Sequence, residues 1–367
     1  MKQPILGLVS TAIIAALALG IIALSEPSFF MGWLSFAVMA CIPTQIIAAF
    51  VWGPLLENTP TVRKGGIQTA ISLLGGLIFG SALHFLAGQS FGPTPQLMML
   101  TIVTVIATFW IMVAWNAWPF PAIIQSPIAL GIVILCSAYV LAYGVFVSLF
   151  NFHFLAGADI YISSLETDGL FSAWPVLAYL VTTVAIIMLC LLLDFYPINQ
   201  LSLEGSKAAF VNSLWILALA AIPFYGFVYL AGFDPVKYMV RGPVSFIFGA
   251  FIVLNLLENS LFGNQRAIIK ALLSALLALA LAFAMQLIYQ AFAQWLNPDI
   301  NSGLPDYQLE LWLANAMLAI TFPLIVMFSD FFGFWPFRNL RDQQTRNEQT
   351  TNGSPSVNDT LKTEIQN

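Results

Sequence analysis

Residues 271–292 read ALLSALLALALAFAMQLIYQAF, a stretch with no charged side chain. A helix needs about 20 mostly apolar residues to cross about 30 Å of hydrocarbon, and this run meets that length. A strand of a membrane barrel would alternate polar and apolar positions over about ten residues. No such alternation is present, so the run predicts a membrane-spanning helix.

Nine further runs of the same kind flank it. The ten predicted spans cover about 4–24, 29–55, 66–88, 97–118, 122–150, 171–195, 208–232, 241–261, 267–293 and 310–333. Turn-forming words separate them: Ser25-Glu26-Pro27, Asn58-Thr59-Pro60, Gly92-Pro93-Thr94-Pro95, Trp118-Pro119-Phe120-Pro121 and Asn297-Pro298-Asp299. The first run is longer than the 7–15-residue apolar region of a signal peptide, which favours a retained span. Composition agrees. Of 367 residues, 60% are hydrophobic and 8% charged, with mean hydropathy +0.89, whereas soluble surfaces need about 25% charged residues. The expected fold class is therefore all-α, a polytopic membrane helix bundle.

Placing the N-terminus in the cytoplasm puts Lys2, Arg63, Lys64, Lys207, Arg266, Lys270, Arg338, Arg341, Arg346 and Lys362 inside, and only Lys237 and Arg241 outside. That asymmetry obeys the positive-inside rule. The outer loops then hold Glu26, Asp159, Glu166, Asp168, Asp234, Asp299, Asp306 and Glu310. The expectation is an inner (cytoplasmic) membrane protein with both termini cytoplasmic. Residues 339–367 are too polar to bury a core and read as a disordered cytoplasmic tail.

Short words recur in order. Leu55-Leu56-Glu57-Asn58 returns as Leu256-Leu257-Glu258-Asn259, Trp118-Pro119-Phe120 as Trp335-Pro336-Phe337, and Ser35-Phe36 as Ser245-Phe246. Gly20 to Leu24 before Glu26-Pro27 resembles Gly226 to Leu230 before Asp234-Pro235. The pattern predicts a parallel internal repeat of helices 1–4 and 7–10. Residues 1–120 form the first four-helix repeat, 121–206 a two-helix linker with an acidic outer loop, and 207–338 the second repeat. An even helix offset makes the copies parallel, with a pseudo-two-fold axis along the membrane normal.

Several chemistries lack their residues. Two histidines, His84 and His153, cannot build a multi-imidazole haem or copper site. Cys41, Cys136 and Cys190 are isolated within apolar runs and read as small buried hydrophobes. No phosphate-cradling, serine-nucleophile or zincin motif is present, and the net charge of −5 offers no surface to nucleic acid. No metal, cofactor or catalytic group is expected, and the chain is not read as an enzyme. Membrane lipid, a small-molecule substrate and a protein partner in a membrane complex are the partners to consider.

Ionisable groups inside a span are functional candidates because their burial is costly. Glu57, Asp194, Glu258 and Asp330 all fall near the cytoplasmic ends of predicted spans. They read either as interfacial partners of Arg63, Lys64, Arg266 or Arg338, or as an acidic ring lining a cytoplasmic vestibule, with Glu57 and Glu258 facing each other. Helix breakers with polar neighbours, Pro43-Thr44-Gln45, Gln125-Ser126-Pro127, Ile222-Pro223 and Thr321-Phe322-Pro323, free carbonyls that a cavity can use. The candidate substrate-binding side chains are Thr44, Gln45, Thr104, Asn116, Asn255, Asn315 and Thr321. His84, opposite the four acids, pairs in the repeat with Gln286 near the outer face. The functional expectation is a secondary transporter or a channel or facilitator for a small solute. The alternative is a non-catalytic subunit of a larger membrane complex, and an enzyme acting on lipid ranks last.

Overall fold

The computed structural model of the chain describes residues 2–86, 93–156, 161–262 and 265–338. The tail, 339–367, and Asp159 lie outside the described residues, as do Arg341, Arg346 and Lys362. Among the described residues, ten helices are long and apolar enough to cross a membrane. They are α1 (Ile5–Leu24), α2 (Pro27–Phe50), α3 (Thr61–Phe85), α4 (Pro95–Ala114), α5 (Pro127–Leu149), α6 (Ala173–Leu192), α7 (Gly205–Leu230), α8 (Pro235–Leu256), α9 (Ala267–Leu296) and α10 (Gln308–Phe331). The chain is a multi-pass helical membrane protein. One short parallel strand pair, Phe150–Asn151 with Phe171–Ser172, ties off the loop between α5 and α6.

The helix starts explain where the expected boundaries shift. Proline is the first residue of α2, α4, α5 and α8, because at that position its missing N–H has no helical partner to lose. Thr94 accepts a hydrogen bond from the Leu97 N–H (3.3 Å), and Asp234 accepts from Val236 and Lys237 (3.0 Å each). Pro127 is therefore a helix start, with Ser126 as its cap, and not a break inside span five. Pro43, Pro223 and Pro323 do lie within helical segments.

Burial divides the ten helices into two classes. In the most apolar stretch of each, 67, 67, 67, 72 and 67% of residues are buried in α2, α4, α6, α8 and α10, against 44, 28, 39, 11 and 28% in α1, α3, α5, α7 and α9. The packing shows why. The even-numbered helices form a closed ring in which α2 touches α4, α4 touches α6, α6 touches α8, α8 touches α10 and α10 returns to α2. Each odd-numbered helix lies outside, over a pair of ring helices: α3 on α2 and α10, α5 on α4 and α2, α7 on α6 and α4, α9 on α8 and α6, and α1 on α10 and α8. Helix α6, in the segment expected as a linker, is a full ring member.

Close helix contacts use residues without bulk. Gly249 of α8 faces the Ala278 carbonyl of α9, where an added methyl would stand 2.1 Å away. Gly76 of α3 likewise accepts Cys41 of α2. Four ring helices contain π-turns, which widen the helix by one residue: 30–34 in α2, 110–114 in α4, 240–244 and 252–256 in α8, 315–321 and 327–331 in α10. The hydroxyls of Ser35, Ser245 and Thr321 donate to the carbonyls of Phe30 (2.6 Å), Val240 (2.9 Å) and Ala316 (2.7 Å) within the widened turns, and at Phe30 and Val240 they add a second donor to oxygens that also accept a backbone N–H.

The ring helices begin at one end of the bundle and finish at the other. Gln3, at the start of α1, donates to the Leu256 carbonyl at the end of α8. Asn212, at the start of α7, donates to the Ala114 carbonyl at the end of α4. This end carries Arg63, Lys64, Lys207, Arg266, Lys270 and Arg338 and is called the basic face. At the opposite face the 297–307 loop is pinned to α8, where the Tyr307 hydroxyl donates to Asp234 at 2.6 Å. Glu310, fully buried, accepts from Ser302 (2.6 Å) and the Gly303 N–H (2.9 Å), with Arg241 at 3.6 Å. Burial and the adjacent Asp234 push the Tyr307 phenol above its ordinary value.

Candidate functional site

At the basic face the ring opens into a cavity of about 830 Å³, to which all five ring helices contribute side chains. Residues between 267 and 272 of the outer helix α9 also contribute to its lining, and its apolar part includes three phenylalanines, Phe109 of α4, Phe251 of α8 and Phe322 of α10. Their ring centroids are 4.2 Å apart for Phe251 and Phe322, 6.0 Å for Phe109 and Phe251, and 6.4 Å for Phe109 and Phe322. Because these helices occupy different places around the ring, the three side chains meet across its middle. Ile46, Met112 and Met188 continue the apolar wall, and polar groups gather towards the mouth: Asp194, Asn199, Asn255, Glu258, Asn259, Lys270, Ser329 and Asp330.

The mouth is shaped by the way ring helices end. Paired residues in the left-handed conformation follow α4 (Asn116, Ala117), α6 (Asp194, Phe195), α8 (Glu258, Asn259) and α10 (Gly333, Phe334). Each non-glycine residue there costs about 1–2 kcal/mol. Backbone N–H groups of Ala117, Asn259 and Phe334 reach back to the carbonyls of Ile111 (2.8 Å), Val253 (2.9 Å) and Phe328 (3.0 Å), which would otherwise lack helical donors. These turns bring Asp194 and Glu258 to the cavity mouth.

Arg338 grips Glu258 with two bonds of 2.8 and 2.7 Å and lies over the Phe334 ring at 4.6 Å. Gln3 donates to the same carboxylate at 3.1 Å. Asp330 accepts from Asn255 (3.0 Å) and Ser329 (3.2 Å). Asp194 is different. Partial desolvation raises its carboxyl above the usual range, the nearby Lys270 pulls it back, and the two are not in ion-pair contact.

Of the four acids singled out in the sequence, Asp194, Glu258 and Asp330 line the cavity, while Glu57 is exposed and outside its lining. The two Leu-Leu-Glu-Asn words fold differently: Leu55 and Leu56 belong to a tight turn after α2, whereas Leu256 ends α8 and Glu258-Asn259 is left-handed. Among the seven candidate binding residues, Asn255 alone lines the cavity. Gln45 donates to the Pro323 carbonyl (2.9 Å) and joins α2 to α10. Asn315 reaches the Met31 carbonyl (3.5 Å), and Thr321 bonds Tyr289 (2.7 Å). Thr104 is bonded within its own helix, Thr44 is buried against Gly75, and Asn116 occupies the turn after α4. Phe109, Phe251, Phe322 and Lys270 were not legible as site residues, since a phenylalanine in an apolar run carries no sign of facing an axis.

Elsewhere, His84 packs edge-on to Trp33 at 4.9 Å on the opposite face. Cys41, Cys136 and Cys190 are free, and Cys136 faces outward instead of being buried. In the α5–α6 loop, ligand atoms of His153, Glu166 and Asp168 lie within 4.8 Å of one another, an arrangement a metal ion would fit. His153 bonds Asp168 at 2.9 Å, and Glu166 accepts from the Phe152 N–H (3.0 Å) and the Tyr161 hydroxyl (3.1 Å), so these groups already brace the loop. No protein-family model, curated protein or solved structure matches the chain.

Proposed function

We propose that the protein is a secondary transporter or facilitator whose solute moves along the axis of the helix ring. The observation that carries this reading is the cavity itself: it is lined by all five ring helices, and its lining includes Phe109, Phe251 and Phe322, whose rings pack on one another. A chamber open at one face and closed by packed apolar side chains is the geometry of a gated pathway, because dry aromatic contacts bar hydrated solutes. The basic face is read as cytoplasmic from the distribution of Lys and Arg, so the chamber would be the inward one.

A parallel repeat fits the same reading. Ser35 and Ser245 make equivalent bonds in α2 and α8, and α4 and α10 close on equivalent left-handed pairs before Trp118-Pro119-Phe120 and Trp335-Pro336-Phe337. Since α6 and α8 close similarly, the repeating unit is better drawn as one ring helix with the outer helix that follows it. The six-helix offset is then three such units.

The test is flux into liposomes holding the purified protein, comparing wild type with Phe251→Ala and Phe322→Ala. Both variants should leak small solutes at least tenfold faster than wild type. Unchanged, background-level flux in wild type and variants alike would sink the proposal.

A second reading, a non-catalytic subunit of a membrane complex, is favoured by the outer surface. Helix α7 is the least buried span, and beside it an apolar groove of about 600 Å³ runs between α5 and α7 over Trp110, Tyr179 and Phe224. Purification in mild detergent with a stoichiometric second chain would support that reading instead.

A further inference from the structure

The cavity has two chemically distinct zones, and together they indicate what it takes. The deep zone is apolar: Met112, Met188, Phe251 and Phe322 present no hydrogen-bonding group to a solute. A fully hydrated ion or sugar placed there would lose water bonds without replacement, at a cost of several kcal/mol. An apolar group gains instead, at about 25 cal/mol for each Å² withdrawn from water.

The mouth is polar, and beside Glu258 and Asp330 it holds one acid and one base that make no ion pair with each other. Glu258 is occupied by Arg338 and Gln3, and Asp330 by Asn255 and Ser329. Asp194 and Lys270 both line the cavity and sense each other electrostatically, yet no direct ion pair joins them. A ligand with one cationic and one anionic group can therefore set each group against its opposite. A singly charged ligand would engage only one of the two.

Building on the pathway reading above, we propose that the vestibule binds zwitterionic amphiphiles, with the charged head between Asp194 and Lys270 and the apolar body against Met188, Phe251 and Phe322. Two sources supply this chemistry: free amino acids with large apolar side chains, and single-chain zwitterionic lipids. A cavity of about 830 Å³ is large enough for either.

Equilibrium binding to the protein in nanodiscs tests the idea. Four radiolabelled probes are compared: phenylalanine, lysophosphatidylcholine, glycine and dodecanol. Saturable binding of phenylalanine or lysophosphatidylcholine is expected, at least tenfold tighter than glycine, which lacks the apolar body, or than dodecanol, which lacks the head. Which of the two binds identifies the source. Asp194→Asn and Lys270→Gln should each weaken that binding at least tenfold, and Lys270→Arg should restore most of it. Thermal unfolding of each variant separates lost binding from lost fold, and Met188→Trp, which fills the deep zone without touching a charge, gives an independent loss. Binding of glycine as tight as that of phenylalanine, or binding indifferent to both charge variants, overturns the zwitterion assignment while axial flux leaves the pathway reading in place. Gate variants with no flux of any solute overturn the pathway reading itself.

Discussion

Arg338 and Glu258 show at residue scale how a short polar word becomes a structural element. Their paired bonds join the end of α10 to the turn after α8, and both side chains are mostly buried, 13% and 16% exposed. Removing one partner of such a pair leaves the other without its counter-charge. Arg338→Met should therefore destabilise by about 2–3 kcal/mol, less than a fully dry pair because solvent reaches the site. Adding Glu258→Gln should recover most of that loss. Thermal unfolding of the single and double variants in mild detergent gives the comparison, and a double variant no better than Arg338→Met would show that charge pairing is not the cause. The sequence left Glu258 between two readings, interfacial pair and vestibule wall; in the structure it pairs with Arg338 and lines the cavity. The sequence could not separate Asp194 from Glu57, because each is simply an acid following an apolar run.

Among elements, the contact of α8 with α9 depends on Gly249. Its Cα faces the Ala278 carbonyl, backbone against backbone, so nothing flexible can yield to a side chain. Gly249→Ala should cost about 1–3 kcal/mol through overpacking and lower the unfolding temperature. Gly20→Ala, at a position with open space around it, is the matched control and should change little. Equal effects of the two changes would remove the close-approach argument. Helix existence is readable from hydropathy alone, whereas the starts at Pro27, Pro95, Pro127 and Pro235 depend on proline as a first helical residue, a signal that hydropathy does not carry. The π-turns had no such signal, and they occur in ring helices and in the outer helix α7 (225–230) alike.

For the whole molecule, orientation is the property most open to direct test. In a variant with Cys41, Cys136 and Cys190 replaced, single cysteines at Ser164 and Asn301 mark the opposite face, and those at Asn58 and Ser260 mark the basic face. A membrane-impermeant maleimide applied to intact cells should label the first two and spare the others. The reverse pattern would invert the assignment and turn the vestibule into an outward chamber.

Hydropathy and charge along the chain decide the solvent this protein lives in, the number of its spans and the charge difference between its faces. The first two follow from summed transfer energies along the chain and the third from where Lys and Arg fall between the spans, and neither needs knowledge of neighbours in space. Which helices form the ring was a different matter. Hydropathy does not separate ring from outer helices, because lipid tails are as apolar as a helix neighbour and a membrane helix need not hide its apolar side from its surroundings. Only tertiary packing placed α6 among the ring helices, brought Phe109, Phe251 and Phe322 from three distant segments to one point, and set Asp194 near Lys270 across the mouth. Those relations depend on contacts between residues far apart in the chain, and steric fit between helices decides them.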